Sequence, residues 1–449
     1  MTQLMEEKDQ YLAAFADFEK RLGKGAAAPL HRVRQAAIER FAALGFPTLE
    51  DEEWRFTNLA PLIRTSFHLA GPDGRMPDAA EIERLAIPAG DCTRLVFVNG
   101  HYAPGLSSLR TLPPGTIAGS LAEALRDHPD QVEPHLARHA GYEEHPFIAL
   151  NTAFLQDGAF LFIPRGKVVA EPVYLLFVST AASEPTVSHP RSLVIVGEDS
   201  QVRLIEGYFG PEGEVYFTNA VTEVVAGPNA VVDHYKLQRE STRAFHVATL
   251  QVQQDRTSNF ADHAITLGGG LVRNEINVLL GGEGGECTLN GLYLAAGRQH
   301  VDNRTLIDHA QPHCTSHELY RGILDGQAHG VFNGKIWVRP GAQKTDAKQT
   351  NQTLLLSEDA VINTKPQLEI YADDVKCTHG ATVGQLDAEG IFYLRSRGIS
   401  REEARNLLTF AFANDIIGRV KIEPLRARLE EMLLRAQHLS EALTAEEAP

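Results

Sequence analysis

The side chains in this sequence whose types and spacing suit metal or sulfur chemistry are cysteines and histidines, and they fall into two groupings. The first is Lys376-Cys377-Thr378-His379-Gly380. On a strand, side chains alternate between faces, so Cys-x-His spacing puts a thiol and an imidazole side by side on one face. A thiolate and a neutral imidazole in that arrangement can ligate a soft or borderline metal, or the edge of an iron–sulfur cluster. Lys376, next to the thiol, is expected to lower its pKa. The competing reading makes Cys377 a small buried hydrophobe and His379 a hydrogen-bonded turn residue.

The second grouping is His309, His313, Cys314 and His317, with His329 not far off. Spacing of four would align the histidines on a helix face, but Pro312 lies inside the run and its surroundings are β-rich. A turn or an outer face is therefore expected for them. They remain the basis of the alternative function, a stand-alone metal-binding protein. The pairs Asp233-His234 and Asp262-His263 suggest a metal ladder, yet degenerate repeats repeat structure before function, so coil-surface positions are expected.

Other chemistries lack their usual signatures. No G-x-x-x-x-G-K-[ST] loop occurs, so no nucleotide site is expected on this chain. The glycines of Gly281–Gly285 fail to complete G-x-G-x-x-G because Cys287 takes the last position, and C-x-x-C, H-E-x-x-H and G-x-S-x-G are missing. A polysaccharide-active enzyme would need an acidic cluster on one coil, and none is evident.

The elements that must position these residues follow from periodicity. Residues 1–157 read as a largely helical domain. Leu4, Tyr11, Leu12, Phe15, Phe18 and Leu22 recur at helical spacing before Gly23, and Val33, Ala37, Ile38, Phe41 and Leu44 do so before Gly45. Ser120 through Ala140 reads as helix interrupted by Pro129 and Pro134. Residues 158–386 are different, with short β-rich runs such as Val173–Val178 and Ser192–Val196 separated by Gly, Asn, Asp and Pro. Turn-like segments recur near Gly197, Gly227, Gly284, Gln311 and Gly341. A degenerate period near ~30 suits one coil of a parallel β-solenoid, with a β-sandwich as the rival. Residues 387–449 are helical again, with Asp387 as a cap, Ser400-Arg-Glu-Glu403 as a capping box and Pro424 at N1, the first helical position, of a last helix that frays into Glu446–Pro449.

Bulk properties narrow the partners. Hydrophobic residues make up 43% and charged residues 22%, ordinary for a soluble globular protein. A formal charge of −16 argues against nucleic acid and anionic membrane surfaces. No signal peptide or membrane-spanning run is evident, and the four cysteines are scattered, which suggests reduced thiols and a cytoplasmic location.

At this point the sequence resembles a known family. Lys376–Gly384, Leu386-Asp387, Ile391–Ile399, Glu403–Arg405 and Leu407-Leu408 are similar to the C-terminal signature of the SufD branch of the SufB/SufD family, from the SUF system of iron–sulfur cluster assembly. Pro47-Thr48, Glu53–Thr57, Asn151–Gly158 and Phe162–Gly166 match its N-terminal element and the start of its β-helix, so the likeness covers nearly the whole chain. The resemblance implies a mainly β fold, a right-handed parallel β-helix core flanked by N-terminal and C-terminal α-helical domains. It implies a non-enzymatic scaffold in a SufBCD complex, pairing with a SufB-like paralogue through the last coils and a SufC-like ABC-type ATPase through helices at 387–420. A transient iron–sulfur cluster would form at the subunit interface, with His379, and Cys377 beside it, as the metal-site residues. An isolated chain with an exposed solenoid edge could also homodimerise.

Overall fold

Two local choices, repeated along the chain, build this molecule: apolar residues on extended strands and a sharp corner at near-constant intervals. The computed structural model describes residues 2–22, 28–71, 74–181 and 184–435. Gly23 and residues 436–449, including the expected fray at Glu446–Pro449, lie outside the described residues.

In six successive coils the residue at one corner has positive φ: Asp199 (57°), Asn229 (58°), Thr257 (51°), Gly284 (71°), His313 (60°) and Lys344 (61°). Each donates its backbone N–H to a carbonyl at the next corner, as Asn229 does to Arg256 at 2.9 Å and Lys344 to Asp374 at 2.7 Å. Between corners the strands stack in parallel register. One sheet runs through eight parallel strands from Ala159–Ile163 to Val361–Ile370. The other runs through nine, from Thr93–Val98 to Lys376–Gly384. The chain is therefore mainly β, a parallel β-solenoid with helices at both ends of the sequence, and its parallel pairing excludes the antiparallel sandwich.

Three apolar layers hold it. Inside the solenoid, Leu161, Leu175, Val194, Val232, Phe260, Leu289 and Phe332 pack between the sheets. On the outer face of the first sheet, helices Thr2–Leu22, Ala28–Leu44 and Pro146–Ala153 bring Phe18, Phe41 and Phe147 against Phe217, Val247 and Leu271. The outer face of the second sheet is covered by helices Arg401–Ile417 and Glu423–Arg435, whose Ile416, Ile417, Leu425 and Leu429 meet Tyr235, Leu292 and Ile323. Burial of each such side chain contributes about 1.5–3 kcal/mol.

The N-terminal region is less helical than its sequence reads. Strand Thr93–Val98 extends the second sheet parallel to Val173–Val178, and Ile117–Ser120 adds antiparallel to Ala159–Ile163. Periodicity cannot tell a short apolar run such as Leu95–Val98 from a buried helical turn. The expected helix from Ser120 to Ala140 is reduced to Leu121–Asp127 and Pro129–Val132, since each proline removes a helical donor.

The Asp-His repeat also differs from expectation. His234 pairs in register with Asp262, so the two motifs are offset by one residue. His234 and Asp262 face the solenoid interior, and only Asp233 and His263 belong to the outer face, where Lys421 reaches Asp233 at 2.8 Å and the His263 ring stacks on Tyr235. Alternation along the strand forces this split once the register slips by one.

At the C-terminus the sequence signals hold. Asp387 accepts a hydrogen bond from Glu389 N–H, and Ser400 and Glu403 close a capping box on Arg401–Ile417. Pro424 is the second residue of its helix, one position later than expected, and still in the first turn where its missing N–H costs no helical bond. Arg321 anchors the long helix through Asp415 at 2.7 Å and by lying over the Phe412 ring at 4.6 Å.

Candidate functional site

The solenoid stops on two strands, Val361–Ile370 and Lys376–Gly384, each paired with a neighbouring coil on one side only. Their residues are half-buried or exposed throughout, in contrast to the preceding coils. An open parallel edge presents unpaired N–H and C=O groups that a further strand could complete. Pro366 interrupts the donor row on one edge.

Cys377 and His379 both lie on this terminal strand, as inward-facing positions of the repeat. Register traces one interior column through His234, Asp262, Leu289, Glu318, Gln349 and His379. The adjoining column runs through Phe260, Cys287, Ser316, Ala347 and Cys377. His379 is exposed because no coil follows it, whereas Cys377 is partly buried against the cluster of Ile336, Val338 and Ala347. Burial raises the Cys377 thiol pKa, Asp346 adds to the rise, and a hydrogen bond involving the Ala347 backbone opposes it. The expected lowering by Lys376 is not found. Neighbours on a strand point to opposite faces, so its ammonium does not stand beside the sulfur.

The histidines of the second grouping are not brought together. His309 is buried, with Nε2 2.9 Å from Ser316 Oγ, and burial lowers its pKa to about 4. His313 is a corner residue, 4.0 Å from Glu283. Cys314 is buried with its thiol on the Gly282 carbonyl, His317 is exposed on the outer face, and His329 bonds Asn363 at 2.6 Å. Among the described residues no group of three or more His, Cys, Asp or Glu side chains is arranged to hold a metal ion. Cys377 and His379 offer two donors, fewer than the four a tetrahedral iron site takes.

The interior polar ladder escaped sequence reasoning. His234 Nδ1 lies 2.7 Å from Asp262 and Nε2 3.1 Å from Glu206. Burial opposes charge on both His234 and Glu206. Their hydrogen bonds prevail, raising the imidazole to about 9 and lowering the Glu206 carboxyl to about 2. Nearer the open end, Glu318 accepts from Thr305 Oγ1 at 2.6 Å and Gln349 Nε2 at 2.8 Å. Cys287 and Tyr320, whose pKa values are raised by burial and in part by Glu318, interact with it electrostatically, and neither is a cation.

Burial therefore outweighs the two hydrogen bonds and pushes Glu318 from 4.5 up to about 7. Between those values the folded chain keeps a proton that the unfolded chain releases. The stability this provides is complete below the unfolded value and lost as pH rises through the folded one. Glu318→Gln should remove the loss, making the variant more stable than the parent by ~1–3 kcal/mol near pH 8 but not near pH 5. Denaturant titrations at both pH values test this, and parallel curves would refute it.

A second surface lies beside the open end. Helix Ala388–Ser396 buries none of its residues, and Phe392 and Tyr393 are 74% and 57% exposed. Val361, Ile370, Tyr371, Val383 and Leu407 are exposed on the neighbouring elements. Adjacent exposed aromatic side chains on a helix that buries nothing are a feature of interaction surfaces.

Comparison with known proteins bears on both surfaces. Residues 177–412 match the model for the SufBD core domain of SUF-system FeS cluster assembly, and residues 5–175 match the SufBD protein N-terminal region. An iron–sulfur cluster assembly SufBD family protein of Synechocystis is 36% identical over 89% of each chain. The iron–sulfur cluster assembly protein SufD of Escherichia coli is 32% identical over 88% of this chain and 90% of its own. SufD of Bacillus subtilis is 28% identical over 90% and 93%.

Proposed function

We propose a function that proceeds from one fact: this chain belongs to the SufBD family of SUF-system iron–sulfur cluster assembly proteins. Its role lies in iron–sulfur cluster assembly. Within that role we assign it the part of a cytoplasmic, non-catalytic scaffold. A SufB-like paralogue pairs with its terminal coils, and a SufC-like ABC-type ATPase docks on the helices of 387–420. The observation that supports this reading best is the open end of the solenoid, where two strands each leave one edge unpaired and one of them, Lys376–Gly384, bears both Cys377 and His379.

The chemistry follows from an incomplete donor set. Iron and sulfide arriving as substrates need ligands from both sides of a closing interface, and this chain offers one imidazole and one thiol. His379 supplies a neutral nitrogen donor or accepts a proton, and Cys377 is the secondary ligand. Exposed Phe392 and Tyr393 give the ATPase an aromatic anchor on a helix with no buried residue of its own. ATP-driven dimerisation of the ATPase would bias the complex toward a state in which the strand interface opens, provided the ATPase binds that state better. Among the described residues no helix is long and apolar enough to cross a membrane.

The test is a gentle pull-down of the tagged full-length chain from its own host, with partners identified by mass. Recovery of both a P-loop ATPase and a paralogous β-rich protein is the expected result. Recovery of neither, under conditions that preserve weak complexes, would overturn the scaffold reading.

A further inference from the structure

The penultimate rung of the interior ladder is built more carefully than a spacer requires. Gln349 is 1% exposed, yet it carries a full amide into the solenoid interior. Its Nε2 donates to Glu318 Oε2 at 2.8 Å, and Thr305 Oγ1 holds the other carboxylate oxygen at 2.6 Å. An ionised carboxylate only accepts, so the NH2 end of the amide must face Glu318 and the carbonyl end must face away. That carbonyl oxygen, Gln349 Oε1, is buried without a hydrogen-bond partner. An orphaned buried acceptor is costly and calls for a donor.

Two further features point to which donor. Gln349 is directly opposite His379 in the parallel register, so their side chains leave the same face about 4.8 Å apart. Gly334 makes room for the amide, since a Cβ there would overlap Gln349 Nε2. A residue of ordinary size at 334 would drive the amide out of the position that Glu318 clamps.

We propose that Gln349, clamped by Glu318, is a positioning residue for His379: its carbonyl oxygen accepts a hydrogen bond from one ring nitrogen and so fixes which nitrogen presents its lone pair to incoming iron. The consequence for assembly rests on the reading of His379 as a ligand. The orientation of the ring does not. Ligating histidines elsewhere have their tautomer set in this way by a carbonyl or carboxylate on the far nitrogen.

The test uses the full-length chain labelled with 15N-histidine, with the His379 signals assigned by their loss in His379→Ala. At about pH 8, where Glu318 is ionised, two-bond 15N–1H correlations report which ring nitrogen carries the proton. The parent is expected to show a single His379 tautomer, and Gln349→Leu a mixture. Gly334→Ala, which keeps both the Gln349 and Glu318 side chains but displaces the amide, should shift the tautomer in the same direction. An unchanged His379 tautomer in a folded Gln349→Leu chain would overturn the proposal, even if His379→Ala stops assembly. In the reconstituted complex, assembly by Gln349→Leu should fall about 10–100-fold. A tautomer change without that fall would support the positioning role and instead refute the ligand reading of His379.

Discussion

His379→Ala is expected to slow iron–sulfur cluster assembly by the complete complex about 100-fold or more, because removal of a ligand costs at least what loss of its outer-shell partner does. The same substitution should leave folding and subunit pairing untouched. His379 is exposed on the terminal strand, so truncating it opens no cavity. Surface changes of this kind shift stability by about 0.5 kcal/mol or less. The decisive measurement is the rate at which the cluster's visible absorption grows in complexes of equal stoichiometry. A normal rate in the variant complex would remove His379 from the site.

Cys377→Ser should have a smaller effect for a reason the geometry supplies. Its sulfur rests partly buried on Ile336, Val338 and Ala347, and burial raises its pKa. The thiolate is the ligand form, and a thiol held above its ordinary pKa is mostly protonated at neutral pH. In the proposed site Cys377 would therefore serve as a donor only when the terminal strand moves or a cation approaches. His379 needs neither event, since a neutral imidazole already has a free lone pair.

The solenoid was legible in the sequence where a glycine or proline stands at the corner. Gly197, Gly227, Gly284, Pro312 and Gly341 mark five of the six corners in this way, and their segments stand out as turns. The corner at Asp255–Ser258 does not stand out, because Thr257 is a β-branched residue at positive φ (51°). It is held there by its N–H to Glu283 at 2.9 Å, a contact between coils that no local rule anticipates. The slip in the Asp-His alignment has the same root. One missed corner between the two motifs leaves the register undetermined by a residue, and a one-residue slip exchanges the inner and outer faces.

The candidate site divides in the same way. Cys377 and His379 were visible because Cys-x-His spacing matches strand alternation. Glu318 and Gln349 were not, because pattern reading assigns polar residues on strands to solvent. Inside a parallel solenoid, identical positions stack on one another, so a polar residue can be satisfied by the rung above or below it. Glu206 with His234 and Asp262, and Glu318 with Gln349, use that option. Such pairing is set by register between segments about 30 residues apart, beyond the reach of a local window.

Arg191→Ala should destabilise the chain by about 3–5 kcal/mol, the usual cost of leaving a buried partner charge uncompensated. Arg191 and Glu223 are both fully buried, joined by Nη2–Oε2 at 2.8 Å and Nε–Oε2 at 3.0 Å. The guanidinium also donates to Asn151 and Thr152 on helix Pro146–Ala153. Glu223 in turn accepts the backbone N–H groups of Ala137, His139 and Ala140. The pair thus ties the N-terminal region to the first coils. Gly158 allows the close approach, because a Cβ there would overlap the Arg191 backbone. Burial alone would raise the Glu223 pKa, but Arg191 and the three N–H groups hold it below the usual range. Stability from this carboxylate is present above its unfolded value and lost as pH falls through its folded one. Without Arg191 the carboxyl is easier to protonate, so the gap between variant and parent should widen near pH 8 and narrow near ~pH 4. Adding Glu223→Gln to the variant should recover part of the loss at neutral pH, since the amide oxygen still serves a backbone donor without a buried charge. Denaturant midpoints for the single and double variants at both pH values separate an electrostatic role from simple loss of packing. A packing loss would be independent of pH and unrepaired by Glu223→Gln.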